Sequence, residues 1–478
     1  MLHTVEKIGG TSMSEYAAVR DNIILAKGKQ EALYQRVFVV SAYGGLTDLL
    51  LENKRNGQPG VYGFFASTDS DTPWQEAFVT LRKRILAINE ELFGASPLRQ
   101  AADEFIRQRL DDAERCLSDL QRLCQHGHFV LTDHLFTVRE MLASIGEAHS
   151  AWNMTQLLQA DGINARFVDL TGWQSQQVES LDEMIRREFA TVDLAKELPI
   201  VTGYTHCSEG LMASFDRGYS EMTFSRIAVL TGAREAIIHK EYHLSSADPR
   251  LVGEPNAVPI GRTNYDVADQ LANLGMEAIH PRAAKGLRQA EIPLRIKNTF
   301  EPEHRGTLIT GDYVSDTPRV EIIAGRKRLY AVELFEQDMM GSIDKFDSSI
   351  LAVLARFKAY VVSKDMNANT ITHYVAANLK TVKRIREALA EQYPGAEISV
   401  RKVAVVSAIG SDIKVPGMLA KTVAALAEVN ISILAMHQSL RQVDMQFVID
   451  EDDYDLAVQQ LHRCLVEVHN HGAAICAA

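Results

Sequence analysis

The chain has 478 residues, a net charge of −12 and 46% hydrophobic residues. This length holds about two to four ordinary domains, and the acidic balance excludes a general nucleic-acid binder while leaving room for local basic pockets. Five cysteines (Cys116, Cys124, Cys207, Cys464 and Cys476) with no CxxC spacing point to a reducing, cytoplasmic setting, not a disulfide framework or a zinc site. The first residues run straight into a strand, so no signal peptide is expected. No apolar run approaches the roughly 20 residues of a membrane span.

In chain order, the first landmark is Val5-Glu6-Lys7-Ile8-Gly9-Gly10-Thr11-Ser12. A strand ending in lysine, two glycines and a helix start present backbone N–H groups and a mobile positive charge to an anion. Ser12 with Glu15 reads as a capping box that starts the helix. No GxxxxGK[ST] occurs, so this is not a P-loop. Residues 37–41 form a continuous β-branched run, a buried parallel strand, followed by the glycine turn Ala42-Tyr43-Gly44-Gly45. Two strands ending in glycine turns predict an open α/β sheet with its sites at the strand C-termini.

Residues of about 74–150 read as an amphipathic helical insertion, with the charged run 107–115 as a solvated face. The helix over 138–154 contains Gly146, which costs about 1 kcal/mol against alanine and marks close packing, ligand approach or a helix break. Strands follow at 165–169, 198–204, 236–239 and 292–297, with a loop at 213–221, a turn at 245–250 and helices between. His206-Cys207 has no third partner for nucleophilic chemistry. These α/β units predict a domain ending near residue 310.

The C-terminal third differs. Strands are expected at 319–323, 328–334, 360–362, 370–374, 403–407, 431–434 and 444–449, with helices at 347–356, 379–392, 417–429 and 453–466. This is βαββαβ twice, two ferredoxin-like units at 319–400 and 401–470. Such duplication suits sensing, dimerisation or both.

Several motifs together resemble the aspartate kinase family. Lys7-Ile8-Gly9-Gly10-Thr11-Ser12 is similar to its opening K-F-G-G-T-S, and the stretch from Ser41 to Asp48 to its second loop. Ser144-Ile145-Gly146-Glu147 is similar to S-x-G-E. His280-Pro281-Arg282, the run from Ile292 to Phe300, and Gly306-Thr307 match its later motifs, and the two C-terminal units resemble its paired ACT domains. The resemblance covers nearly the whole chain and implies transfer of the γ-phosphoryl group of ATP to the side-chain carboxylate of L-aspartate, the first step of the aspartate pathway. A carboxylate of pKa about 4 is already ionised at neutral pH, so no general base is required, only positioning and charge neutralisation.

By this resemblance Lys7 and Glu221 stand at the reacting groups. Ser41, Thr47, Glu147 and Arg217 hold aspartate, with Glu147 on the ammonium and Arg217 on a carboxylate. Lys7, Gly9, Gly10, Thr11, His239, Lys240, Ser245 and Arg250 belong to the ATP side. Mg²⁺ would ride on the nucleotide phosphates, with no dedicated protein metal site. Effector contacts are expected at Met340, Gly341 and Ser342 and at Val415, Pro416 and Gly417, with lysine or threonine as the family's inhibitors. A homodimer or higher homo-oligomer would form through the ACT-like units, with no nucleic-acid or membrane partner.

Three stretches depart from the family pattern. The G-R-G-G-S-D loop is Asp216-Arg217-Gly218-Tyr219-Ser220-Glu221, the T-D or K-D pair is His239-Lys240, and a lysine expected near the triphosphate is Glu277. With Ile8, Met13 and Tyr43, the last departure is similar to the specialised aspartate kinases that accompany ectoine synthesis. The alternatives are an amino-acid kinase acting on another carboxylate and a catalytically weak ACT-containing amino-acid sensor.

Overall fold

The computed structural model describes residues 3–25, 33–53, 56–67, 72–126, 128–175, 178–212, 218–276 and 278–469. The first strands along the chain are β1 (Thr4–Ile8), β2 (Arg36–Val40), β3 (Ala165–Val168), β4 (Leu198–Thr202), β5 (Glu235–Lys240), β6 (Arg262–Asn264), β7 (Leu294–Asn298) and β8 (Thr307–Thr310). The later ones are β9 (Ile322–Phe335), β10 (Tyr360–Asn367), β11 (Thr370–Ala376), β12 (Glu397–Ile409), β13 (Ala435–His437) and β14 (Asp444–Asp450). The chain divides into two compact units, residues 1–243 with 282–306, and residues 244–281 with 307–478.

In the first unit β3, β4, β2, β1, β5 and β7 lie in that order, all parallel. Val37 to Val40 are fully buried, as expected of a strand covered on both faces. One face packs Ile8, Phe38, Val40, Ala165 and Ile200 against Met154 and Leu158 of the long helix Leu135–Ala160. The helical insertion is present as Thr72–Phe93, Leu98–Cys124 and Leu135–Ala160. Its charged run is not uniformly solvated. Arg109 is buried, hydrogen-bonded to Asp169 and Thr171 and stacked over Phe105 and Trp173. Charge density alone could not single it out from its exposed neighbours.

In the second unit, residues 244–281 share a core with the C-terminal sheet. Leu244, Ile260, Val267, Leu271 and Leu274 pack with Ile322, Leu329, Val362, Val403 and Val405. The two ferredoxin-like units are not consecutive. The expected strands 319–323 and 328–334 are one strand, β9, bulged where Arg328 takes φ 61°. It runs antiparallel along β12 within one sheet of order β10-β11-β9-β12-β14-β13. The C-terminal half of β9 and the N-terminal half of β12 complete the first unit. The other halves complete the second, so the first unit is inserted inside the second. The strand expected at 431–434 forms instead at Ala435–His437, after Asn430 turns the chain at φ 58°.

Candidate active site

The site lies at the C-terminal ends of β1, β2 and β4 in the first unit. The β1 chain leaves Ile8 through Gly9 and Gly10 into a one-turn helix, Gly10–Met13. No capping box forms. The Ser12 hydroxyl bonds Thr299 Oγ1 at 2.9 Å instead, because β7 brings Thr299 to it. The Gly9 N–H donates to the His239 carbonyl at 3.2 Å, so this amide is already committed. A Cβ at Gly10 would lie 2.6 Å from the Ala42 carbonyl oxygen. Glycine there lets the two strand-end loops close on each other. Gly44 N–H then donates to Ser14 Oγ at 2.9 Å.

Lys7 and Glu6 alternate along β1, and their environments diverge. Lys7 Nζ meets Glu221 Oε1 at 3.3 Å, both side chains nearly buried. Glu221 sits in the first turn of the helix Tyr219–Thr231. Glu6 accepts from Arg36 at 2.7 and 3.0 Å, from Thr4 at 2.8 Å, and meets His239 Nε2 at 2.8 Å. Burial pushes the Glu6 carboxyl up, but the Arg36 charge and the His239 hydrogen bond outweigh it and hold it well below the usual carboxylate range. The same burial lowers the His239 pKa, against the pull of Glu6. The structure thus gives the His239 imidazole a place in a β1–β2–β5 cluster with Glu6 and Arg36.

Glu147 is buried on the helix Leu135–Ala160. Burial raises its pKa to about 8, opposed by the Lys7 charge and by the main-chain N–H groups of Tyr204 and Ala42. Its Oε2 has no hydrogen-bond partner among the described residues. Gly146 resolves to close packing, since a Cβ there would lie 2.8 Å from the Ala42 Cβ. Ser150, further along the helix, donates to the Ser41 carbonyl at 2.9 Å. The Ser41 and Ser220 hydroxyls stand 3.5 Å apart. Thr47 is half-buried at the start of the helix Leu46–Leu50, entered through Gly45 at φ 77°.

Sequence reasoning missed Ser220 and Gly203. A Cβ at Gly203 would meet Ser220 Cβ at 2.6 Å and Glu147 Oε2 at 2.8 Å. A glycine directly after an apolar strand was the available signal. At Cys207, burial and the neighbouring Glu209 push the thiol up to about 12, away from the thiolate form. Arg217 and Glu277 lie outside the described residues. Thr11 is exposed and Lys240 half-buried, its carbonyl accepting from Thr299 N–H at 2.8 Å. Ser245 and Arg250 belong to the second unit, where Arg250 is exposed and paired with Asp248 at 2.9 Å. Met340 is exposed, Gly341 and Gly417 take φ 81° and 89°, and Val415 and Pro416 lead into the helix Met418–Glu428. Ser342 stands at the N-cap position of the helix Ile343–Arg356 without a side-chain capping hydrogen bond. No cluster of three or more His, Cys, Asp or Glu able to hold a metal occurs among the described residues. No helix there is long and apolar enough to cross a membrane.

A parallel sheet with a lysine, a buried carboxylate and facing glycine loops at its strand ends is the architecture of a small-molecule phosphotransferase. Residues 3–298 match the amino acid kinase family and residues 406–465 an ACT domain. The chain belongs to the amino acid kinase family. It is 59% identical over 477 residues to "Aspartate kinase Ask_Ect" of Stutzerimonas stutzeri, covering 100% of both chains. It is 25% identical to an aspartokinase of Candida albicans, covering 97% of this chain and 90% of that one. Two crystal structures of E. coli aspartokinase III share the fold. The complex with lysine and aspartate gives a TM-score of 0.73 at 19% identity, and the complex with aspartate and ADP gives 0.70 at 20%. Each pairing covers 97% of this chain and 99% of the other.

Proposed function

We infer that this chain is an aspartate kinase, transferring the γ-phosphoryl group of ATP to the β-carboxylate of L-aspartate to give 4-phospho-L-aspartate. A carboxylate oxygen forms the new bond to phosphorus as the bond to the β-phosphate oxygen breaks, and ADP leaves with the electron pair. No proton moves. The chain's task is to hold two anions together and neutralise charge, a matter of positioning and electrostatics.

The observation that carries the reading is the Glu147 carboxylate, buried beside Lys7 with no hydrogen-bond partner for Oε2 among the described residues. A buried acceptor left open costs free energy unless a ligand completes it, and an amino-acid ammonium supplies the missing donors. Lys7, steered by Glu221, neutralises the transferring phosphoryl group. Ser41, Ser220 and Thr47 offer neutral hydrogen bonds, and Arg217 takes a substrate carboxylate. With Gly9 N–H committed to His239, the amides of Gly10 and Thr11 are the ones left for phosphate oxygens. Lys240, Ser245 and Arg250 serve the nucleotide. Mg²⁺ accompanying ATP would be carried by the phosphates themselves, as this ion keeps few protein ligands. Met340, Gly341 and Ser342 with Val415, Pro416 and Gly417 are the effector turns, and the ferredoxin-like sheet mediates homo-oligomerisation. The enzyme works in the cytoplasm, feeding amino-acid synthesis and ectoine supply.

The test is aspartate-dependent hydroxamate formation with ATP and Mg²⁺, with and without lysine and threonine. Activity with another acid alone would overturn the substrate assignment. No turnover with any acid would favour an amino-acid sensor.

A further inference from the structure

The helix Leu135–Ala160 carries a second buried carboxylate, which the mechanism above leaves unused. Glu140 is 6% exposed and lies seven residues before Glu147. Two helical turns place both on one face. Both meet the same segment. Glu147 takes the main-chain N–H of Tyr204 at the end of β4, and Glu140 takes the main-chain N–H of Met212. Tyr204 belongs to both contacts, since its hydroxyl lies beside the Glu140 carboxylate. Its ring stands edge-on to Tyr219, with centroids 5.5 Å apart. Tyr219 opens the helix that carries Ser220 and Glu221, and Glu221 holds Lys7.

We propose that Glu140 is a positioning residue of the aspartate pocket: it pins the Tyr204–Met212 segment to the helix so that Tyr204, Ser220 and Glu221 keep their places around the substrate. The proposal rests on the reading of this site as an aspartate pocket. Chemistry favours it over a packing role. Burial raises the Glu140 pKa against the Met212 and Tyr204 donors. Its Oε1 has no hydrogen-bond partner among the described residues. A group serving only to fill space would do so at lower cost as leucine. A carboxylate is retained because it accepts from the Met212 main-chain N–H and faces the buried Tyr204 hydroxyl, which has no hydrogen-bond partner of its own among the described residues. The segment also rests on the same helix through Gly210, at φ 62°, where a Cβ would meet the Phe136 ring at 3.4 Å.

The test is steady-state kinetics of the full chain with aspartate and ATP varied separately, on Glu140→Leu, Glu140→Gln and Tyr204→Phe, with thermal unfolding of each. Misplacing a pocket wall by a fraction of an ångström raises the aspartate KM of Glu140→Leu and Tyr204→Phe by about tenfold, with the ATP KM within about twofold. Glu140→Gln keeps an acceptor oxygen and restores the aspartate KM to within about threefold of wild type. Equal rises in both KM values, or a Glu140→Gln variant no better than Glu140→Leu, would overturn the proposal. Should Glu140→Leu not fold, an unchanged aspartate KM in Tyr204→Phe overturns it alone. The wild-type rate with aspartate, read in the same assay, separates failure of the substrate reading from failure of this proposal.

Discussion

Two adjacent residues of β1 separate a saturated cluster of charges from an open one. On one side Glu6 is closed off by Arg36, His239 and Thr4, with every neighbour at hydrogen-bond distance. On the other, Lys7 meets Glu221 at 3.3 Å, and the nearby Glu147 has an oxygen with no hydrogen-bond partner among the described residues. Burial is similar on both sides, so burial does not identify the site. Satisfaction does: a saturated cluster has no capacity left for a ligand, whereas an undersatisfied one stores the desolvation cost that a ligand of opposite charge relieves.

The sharpest break of this contrast is Lys7→Ala. Losing one charge aimed at the reacting phosphoryl group should lower kcat by about 10²- to 10³-fold, while the thermal midpoint moves little. A variant retaining wild-type turnover would remove Lys7 from the chemistry. Arg36→Met should do the reverse, destabilising the protein by about 3–5 kcal/mol through the stranded Glu6. Urea unfolding reads this, and an unchanged midpoint would contradict the structural assignment.

Glu147→Gln should lower kcat/KM for aspartate by about tenfold or more, since a charged partner of the ammonium becomes neutral. Its protonation sharpens the point. The free carboxyl has its pKa raised to about 8, so it is largely neutral near pH 7, and binding a cationic ammonium should ionise it. Calorimetric titration of aspartate at pH 7 in buffers of different ionisation enthalpy should show proton release, absent in Glu147→Gln.

The two carboxylates also carry opposite pH signatures. Because the folded Glu147 pKa lies above the usual 4.5, its contribution is fully present below 4.5 and lost as pH rises through about 8. Glu147→Gln should therefore gain stability over wild type on the alkaline side. The Glu6 pKa is depressed, so its contribution is present above 4.5 and lost as pH falls toward the folded value. Glu6→Gln should flatten the acid limb of a stability profile. Profiles of the same sign for both variants would erase the distinction. The smallest effect is expected at Arg250, exposed and paired with Asp248. Its replacement by alanine should leave stability within about 0.5 kcal/mol and show itself, if at all, in the ATP KM.

Much of the site was legible before the structure, because its chemistry is local in sequence. Lys7 precedes a glycine pair, Ser41 ends a buried strand and Glu147 follows a helical glycine. Each is marked by a break in periodicity. Ser220 and Glu140 carry no such mark, and Gly203 has only its place directly after an apolar strand. Their roles depend on which loop faces which helix. The contact of the His239 imidazole with Glu6 is hidden for the same reason, since it depends on which strands lie side by side.

The sequence by itself determined the α/β class, the helical insertion, the strand-end lysine and the repeated βαββαβ pattern, since each follows from hydrophobic period and local turn chemistry. Only the tertiary structure decided that β9 and β12 are shared, so that one ferredoxin-like unit sits inside the other, and that residues 244–281 share the core of the C-terminal sheet. It also decided which of the two β1 charges is saturated. Register and the burial of a face are choices among distant partners of equal local quality. They are made by the free energy of the packed whole and leave no trace in any one segment.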